Sequence, residues 1–213
     1  MYLGRTQQQS NVIVPADRNG IGEIGYAVSE MIRGFFDSIQ ILVIFLAFLV
    51  VIYLWVLSLH QVDGFSMMPS YEHGQYMFVD KLFSKMSQFK RGDVIVFKYD
   101  DTKDFIKRVI GLPGDQVMIK DGQVYVNGKV LIEEYLPSGR ETHPTNLNVM
   151  QDGETKIVPE GSYFLLGDNR DVSRDSRSIG FVNPIDHEIR GRVIMIVWPF
   201  DHFQLIKQIN YNN

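Results

Sequence analysis

The sequence predicts a mainly β fold: an antiparallel, β-rich domain tethered by a single N-terminal transmembrane helix. Three observations carry this prediction. Ile39 to Leu59 is an apolar run in which only Gln40 and Ser58 are polar and nothing is charged; at about 1.5 Å per helical residue it spans ~30 Å, the hydrocarbon thickness of a bilayer. Beyond it, short stretches rich in Val, Ile, Phe and Tyr alternate with turn residues, as strands do. Two of those turns, Asp121-Gly122 and Asn127-Gly128, are dipeptides suited to tight hairpins.

Taken in order, residues 1–37 read as a polar, glutamine-rich cytoplasmic tail followed by a short amphipathic segment that enters the bilayer from its surface. Gly20-Ile21-Gly22-Glu23-Ile24-Gly25 matches the dinucleotide fingerprint. No buried strand precedes it and a membrane run follows, so the match is a coincidence of spacing. The transmembrane helix is placed at 38–59. A cleaved leader fits poorly, because the stretch before the run is too long and the run exceeds a normal leader core. Arg18 and Arg33 precede the span and the first basic residue after it is Lys81. That asymmetry puts the N-terminus in the cytoplasm and residues 60–213 outside, with Tyr53 and Trp55 near the outer interface.

Val94–Phe97 and Phe105–Ile110 form a hairpin across the polar turn Asp100–Asp104, and Val117–Lys120 and Gln123–Val126 form another. Residues 134–157 contain Pro137, Gly139, Pro144 and Gly153 and read as a loop or small lobe. Phe164–Leu166 and Val193–Val197 are continuous apolar runs suited to strands buried on both faces. Gly191 opens the second and Trp198-Pro199-Phe200 closes it, while the final residues carry no pattern.

The 213 residues and 45% hydrophobic content suffice for one real core. A net charge of -4 argues against a nucleic-acid partner. The absence of cysteine excludes disulfides, cysteine nucleophiles and thiolate metal sites.

Chemistry centres on Ser66, in Gly64-Phe65-Ser66-Met67-Met68-Pro69. A serine hydroxyl needs a base before it is a nucleophile. Even a fully extended connection keeps Ser66 within ~25 Å of the outer end of the span. A secretory leader presents small residues directly after its apolar segment, in the same zone. The candidate base is Lys107, which shares a strand face with Phe105 and Val109, while Ile106, Arg108 and Ile110 share the other. An exposed lysine is neutral in only ~1 molecule in 2,500 at pH 7, a deficit of ~4.6 kcal/mol for any step needing a free amine. Burial removes much of that deficit. A strand lysine can instead extend its amine to water along apolar neighbours.

The five histidines compete poorly. His60 abuts the membrane run, His143 precedes Pro144, and His73, His187 and His202 lack motif context. The serine also fails the G-x-S-x-G elbow at its last position. Asp171, Ser173 and Asp175 have the spacing of the first calcium-loop ligands. Ser176 and Val182 stand where that loop needs glycine and glutamate, and Arg174 and Arg177 repel a cation, so no metal is expected.

Ser66-Met67-Met68-Pro69, Arg91-Gly92-Asp93-Val94, Lys107-Arg108-Val109-Ile110-Gly111-Leu112-Pro113-Gly114-Asp115 and Gly167-Asp168-Asn169-Arg170-Asp171-Val172-Ser173-Arg174-Asp175-Ser176-Arg177 resemble, in order, the signature boxes of bacterial type I signal peptidases. The likeness runs from about Val62 to Phe200. It implies a β-rich extracytoplasmic domain whose serine-lysine dyad cleaves leaders after small residues, without cofactor or metal. Ser66 then corresponds to the nucleophile, Lys107 to the general base, and Ser173 to a hydroxyl that orients the amine. Asp168, Arg108, Asp175 and Arg177 correspond to bracing residues. Many members carry serine two positions before the nucleophile, where this chain has Gly64, so its oxyanion contact falls to backbone amides, that of Ser66 first. Ser70-Tyr71 also replaces the commoner threonine-leucine.

Substrate is expected to add as a strand, with the Lys107 strand and the segment before Ser66 as walls and Phe65, Phe105 and Ile106 as contacts. Met67 and Met68 suit either a bilayer-facing surface or core filling. The reading is a membrane-bound endopeptidase acting on secretory preproteins with cleavable signal peptides, in contact with membrane lipid. The alternatives are a non-catalytic tethered β domain that binds extracytoplasmic partners, and a relative dedicated to one client.

Overall fold

The computed structural model of the chain describes residues 19–82, 88–184, 186–209 and 211; most of the predicted N-terminal tail lies outside them. The chain divides into two compact units, Met1–Val50 and Val51–Asn213.

Most of helix α1 (Asn19–Trp55) lies in the first, and it joins the predicted amphipathic segment to most of the predicted span without interruption. Its stretch Ile24–Tyr53 has a mean hydropathy of 2.6, and its large apolar side chains are exposed, as a helix solvated by lipid requires. The helix stops at Trp55, short of the predicted end at 59. Leu57–Gln61 instead forms strand β1, paired antiparallel with Tyr76–Asp80. Hydropathy alone cannot separate the end of an apolar helix from an apolar strand that follows it.

The second unit holds the strands β1, β2 (Tyr76–Asp80), β3 (Val94–Lys98), β4 (Asp104–Gly111), β5 (Gln116–Lys120), β6 (Gln123–Val126), β7 (Lys129–Val130), β8 (Thr155–Ile157), β9 (Phe164–Leu166), β10 (Ile189–Trp198) and β11 (Gln204–Leu205), with the short helix α2 (Ser176–Ile179). The larger sheet has the order β1-β2-β10-β3-β4-β9, with β11 on β10; the smaller has the order β7-β6-β5-β8. Every pairing is antiparallel. Both predicted dipeptide turns are present. Asp121 and Gly122 have φ of 50° and 75°, and Asn127 and Gly128 have 53° and 79°, the paired positive φ that matches the twist of flanking strands.

Central strand β3 is covered on both faces. Val94 and Val96 pack with Val79, Ile106 and Val193, whereas Ile95 and Phe97 pack with Val109 and Leu165. Ile95 pairs with Lys107 across the β3–β4 ladder, which places the lysine beside a dry layer.

Strand β9 is buried throughout, as predicted. Strand β10 is not: Val193 and Ile196 are buried, but Ile194, Met195 and Val197 are only partly so. It is longer than predicted, and Gly191 lies within it at a register shift. A Cβ there would overlap the Asp80 carbonyl oxygen, so β2 and β10 can approach only at a glycine. The 134–157 excursion returns to the smaller sheet as β8 and buries Met150 in that sheet's core. The C-terminal residues Ile206 and Tyr211 also pack against the cores.

Candidate active site

The hairpin β3–β4 delivers Lys107, and the turn after β1 delivers Ser66. Lys107 Nζ donates to Ser66 Oγ at 2.8 Å and to the Ile106 carbonyl at 2.7 Å. The lysine is 2% exposed, and its amine lies 4.9 Å from the centre of the Phe105 ring. Burial pulls its pKa from 10.5 down to about 8 against the opposing pull of the Asp175 and Asp168 carboxylates. Of the two readings of Lys107, the buried amine is therefore the one adopted.

Ser66 is held from behind, its carbonyl accepting the Asn169 N–H at 2.9 Å. Gly167 fits beside it only for want of a side chain, since a Cβ there would overlap both Ser173 Oγ and the Ser66 carbonyl. The loop Gly167–Arg177 thereby reaches Ser66 through its backbone.

The predicted bracing residues form two buried pairs. Arg108 donates through Nε to Asp168 Oδ1 at 2.9 Å, through Nη2 to Asp168 Oδ2, and through Nη1 to the Gly92 carbonyl at 3.1 Å. Burial opposes its charge, but Asp168 outweighs that effect and the Arg108 pKa is raised. Arg177 grips Asp175 through Nε at 2.8 Å and Nη2 at 2.9 Å, while Asp175 accepts the Gly167 N–H at 3.0 Å and the Arg177 N–H at the start of α2. Forked guanidinium contacts of this kind fix orientation as well as charge. Asp168→Ala would leave the Arg108 charge buried without its partner, a loss of about 3–5 kcal/mol. A chemical melt of that variant within 1 kcal/mol of the parent would contradict this.

Ser173 departs from expectation. Its hydroxyl is buried and has no hydrogen-bond partner among the described residues, so it does not orient the amine in this arrangement. The Ile106 carbonyl, on the lysine's own strand, holds the amine instead.

Phe65, Phe105 and Ile106 line one cleft of roughly 300 Å³ with Ser66, Lys107, Val172 and Arg174. Strand β9 pairs with β4 only at Arg108, Val109 and Gly111, which leaves Asp104–Lys107 without a strand on that side among the described residues. An extended peptide has the backbone edge it needs there. Met67 is core, and Met68 is 36% exposed.

Sequence reasoning missed several participants. Gly64, with φ of +107°, donates its N–H to His73 Nδ1 at 3.1 Å, and the His73 ring lies 5.5 Å from that of Phe65. Tyr135 stacks on Arg108 at 4.1 Å, and Arg170 is buried in contact with Glu133. His73, Tyr135 and Glu133 sit in stretches with no periodic signal, and the last two are remote in sequence from the arginines they meet.

The family model described as signal peptidase, peptidase S26, matches residues 35–198. Signal peptidase I of Bacillus caldolyticus is 43% identical over 157 residues, 70% of this chain and 84% of that protein. Signal peptidase IB of Staphylococcus aureus strain N315 is 33% identical over 159 residues, 70% of this chain and 82% of that protein. A crystal structure of a signal peptidase I from Enterococcus faecalis V583 is 38% identical, covers 50% of this chain and 97% of its own, and has a TM-score of 0.40. Since the matched span contains the serine, the lysine and the loop that braces them, the chain belongs to the signal peptidase family, peptidase S26.

Proposed function

We propose that this membrane-anchored serine endopeptidase removes signal peptides from exported preproteins with Ser66 as nucleophile and Lys107 as general base. The observation that carries the assignment is the contact of 2.8 Å between Ser66 Oγ and a buried amine. With a pKa of about 8, roughly one lysine in ten is neutral at pH 7, against ~1 in 2,500 for an exposed one.

Ser66 Oγ attacks the scissile carbonyl carbon as its proton passes to Lys107 Nζ. The resulting ammonium protonates the leaving amine, and the peptide bond breaks to give an acyl-enzyme. Lys107, neutral again, takes a proton from water, whose oxygen attacks the ester carbonyl; the acyl C–Oγ bond breaks and the Lys107 ammonium returns that proton to Ser66 Oγ. The leader pairs along the open edge of β4, and the wall formed by Phe65, Phe105 and Ile106 admits small side chains next to the cut. Gly64 supplies no hydroxyl, so the oxyanion is met by backbone amides.

The arginines Arg18 and Arg33 ahead of the span support an N-terminus in the cytoplasm and a catalytic domain outside, at the lipid surface where leaders emerge. Preproteins and membrane lipid are the partners of this reading; nucleic acid is not, and neither metal nor cofactor enters the steps.

Single-turnover cleavage of a leader-bearing preprotein should rise about tenfold per pH unit below pH 8 and level off above it, because only the neutral amine accepts the serine proton. A rate flat from pH 5 to 9, with chemistry limiting, would remove Lys107 from the base role. Cleavage anywhere but the leader boundary would refute the substrate assignment.

A further inference from the structure

The segment Glu133–His143 is sewn to the catalytic loop by charged groups that never reach the cleft. Arg170 sends both terminal nitrogens to the Glu133 carboxylate. It also donates to Thr142 Oγ1, to Tyr135 Oη at 3.3 Å, and through Nε to the Gly167 carbonyl at 3.0 Å. The pair is shut away from water, with side-chain exposures of 1% for Arg170 and 9% for Glu133. Further links run in parallel. Arg177 donates to the His143 carbonyl at 3.2 Å, and Arg140 pairs with Asp171 at the surface.

All of these links land on Gly167–Arg177, the stretch whose Asn169 N–H holds the Ser66 carbonyl. The same stretch supplies the carboxylates of Asp168 and Asp175 that act on Lys107. Arg170 adjoins Asn169 in the chain and is bonded to Gly167, so any shift of its guanidinium moves the peptide behind the nucleophile. A planar fork bound bidentately tolerates little such shift. A buried ion pair contributes little net stability over apolar packing of the same volume, whereas an ångström of misplacement at a reacting pair slows chemistry by up to ~100-fold.

We infer that Glu133 and Arg170 are positioning residues for catalysis, a brace outside the cleft that sets the register of the Ser66 peptide against Lys107. The inference rests on the dyad reading above. Glu133 itself faces Arg170 and Tyr135. The charged groups around the lysine are Asp168 and Asp175 from the loop, with Asp104, Asp63 and Arg174 along the cleft. Loosening the brace admits water to the amine, restores solvation of the ammonium, and raises the pH at which the lysine becomes neutral.

The test uses the full chain in detergent micelles, with kcat and KM for a leader-bearing preprotein measured from pH 6 to 10. Parent, Glu133→Gln, Arg170→Lys and Ser66→Ala are compared. Glu133→Gln and Arg170→Lys should lose roughly tenfold to 100-fold in kcat at pH 7 with KM little changed. Their acid limb should move to higher pH. A purely structural pair would lower the amount of active enzyme and leave the limb where it was; that result, or kcat within twofold of the parent, overturns the inference. Should Glu133→Gln fail to fold, Glu133→Asp keeps the charge and carries the same comparison, because the position of the limb does not depend on the folded fraction. Cleavage by Ser66→Ala at the parental rate would instead overturn the dyad reading itself, a result distinct from an unmoved limb in the brace variants.

Discussion

Ser66→Ala abolishes preprotein cleavage, by on the order of 10⁴-fold or more, since removing a nucleophile leaves only the binding and electrostatic remainder of the site. The same substitution should barely disturb folding. The hydroxyl is one of two acceptors of the Lys107 amine, and the Ile106 carbonyl persists as the other; the Asn169 amide still holds the Ser66 carbonyl. A melting temperature within ~2 °C of the parent is expected for so small a loss. Gel analysis of preprotein processing beside a thermal melt reads both. A tethered domain that only binds extracytoplasmic partners would keep its function in this variant. Cleavage at more than a hundredth of the parental rate would retire Ser66 as nucleophile.

Lys107→Met removes activity on a similar scale and is expected to make the protein more stable at neutral pH. The folded-state pKa of about 8 lies below the ordinary 10.5, so the unfolded chain holds the lysine proton more tightly than the native one. Stability then rises with pH between about 8 and 10.5, and below about pH 8 the full penalty, about 3 kcal/mol, falls on the fold. Methionine fills the same apolar space without a charge to desolvate. The loss of two hydrogen bonds offsets part of the gain, at about 1 kcal/mol each. Melts at pH 7 and pH 10.5 should therefore show an advantage for Lys107→Met that fades at the higher pH. A variant less stable than the parent at both would mean that the amine is not penalised by burial. The coupling of lost activity with gained stability is what a group kept for chemistry at the expense of folding produces.

The local elements were largely legible in the chain because their signals are local. Period-two alternation around Lys107 correctly sorted Phe105 and Val109 onto one layer and Ile106 onto the other. The Asp-Gly and Asn-Gly turns specified their hairpins through backbone conformation alone. The end of the helix was misjudged at Leu57–Leu59 because an apolar strand continues the hydropathy of the span. The expected burial of β10 was also misjudged: a run of apolar residues implies burial on both faces, yet only Val193 and Ile196 of that run are buried, and a register shift lies between them.

From sequence alone came the membrane-spanning run, the β-rich architecture and the motifs bearing Ser66, Lys107 and the Asp168–Arg177 loop, all of which depend on composition, periodicity or short-range spacing. Tertiary structure alone decided that the Ile106 carbonyl rather than Ser173 holds the amine, that Asn169 secures the Ser66 carbonyl, and that Glu133 reaches Arg170. Those contacts join residues far apart in the chain, and a hydrogen bond depends on where two atoms meet after packing, which no local pattern of residue types encodes.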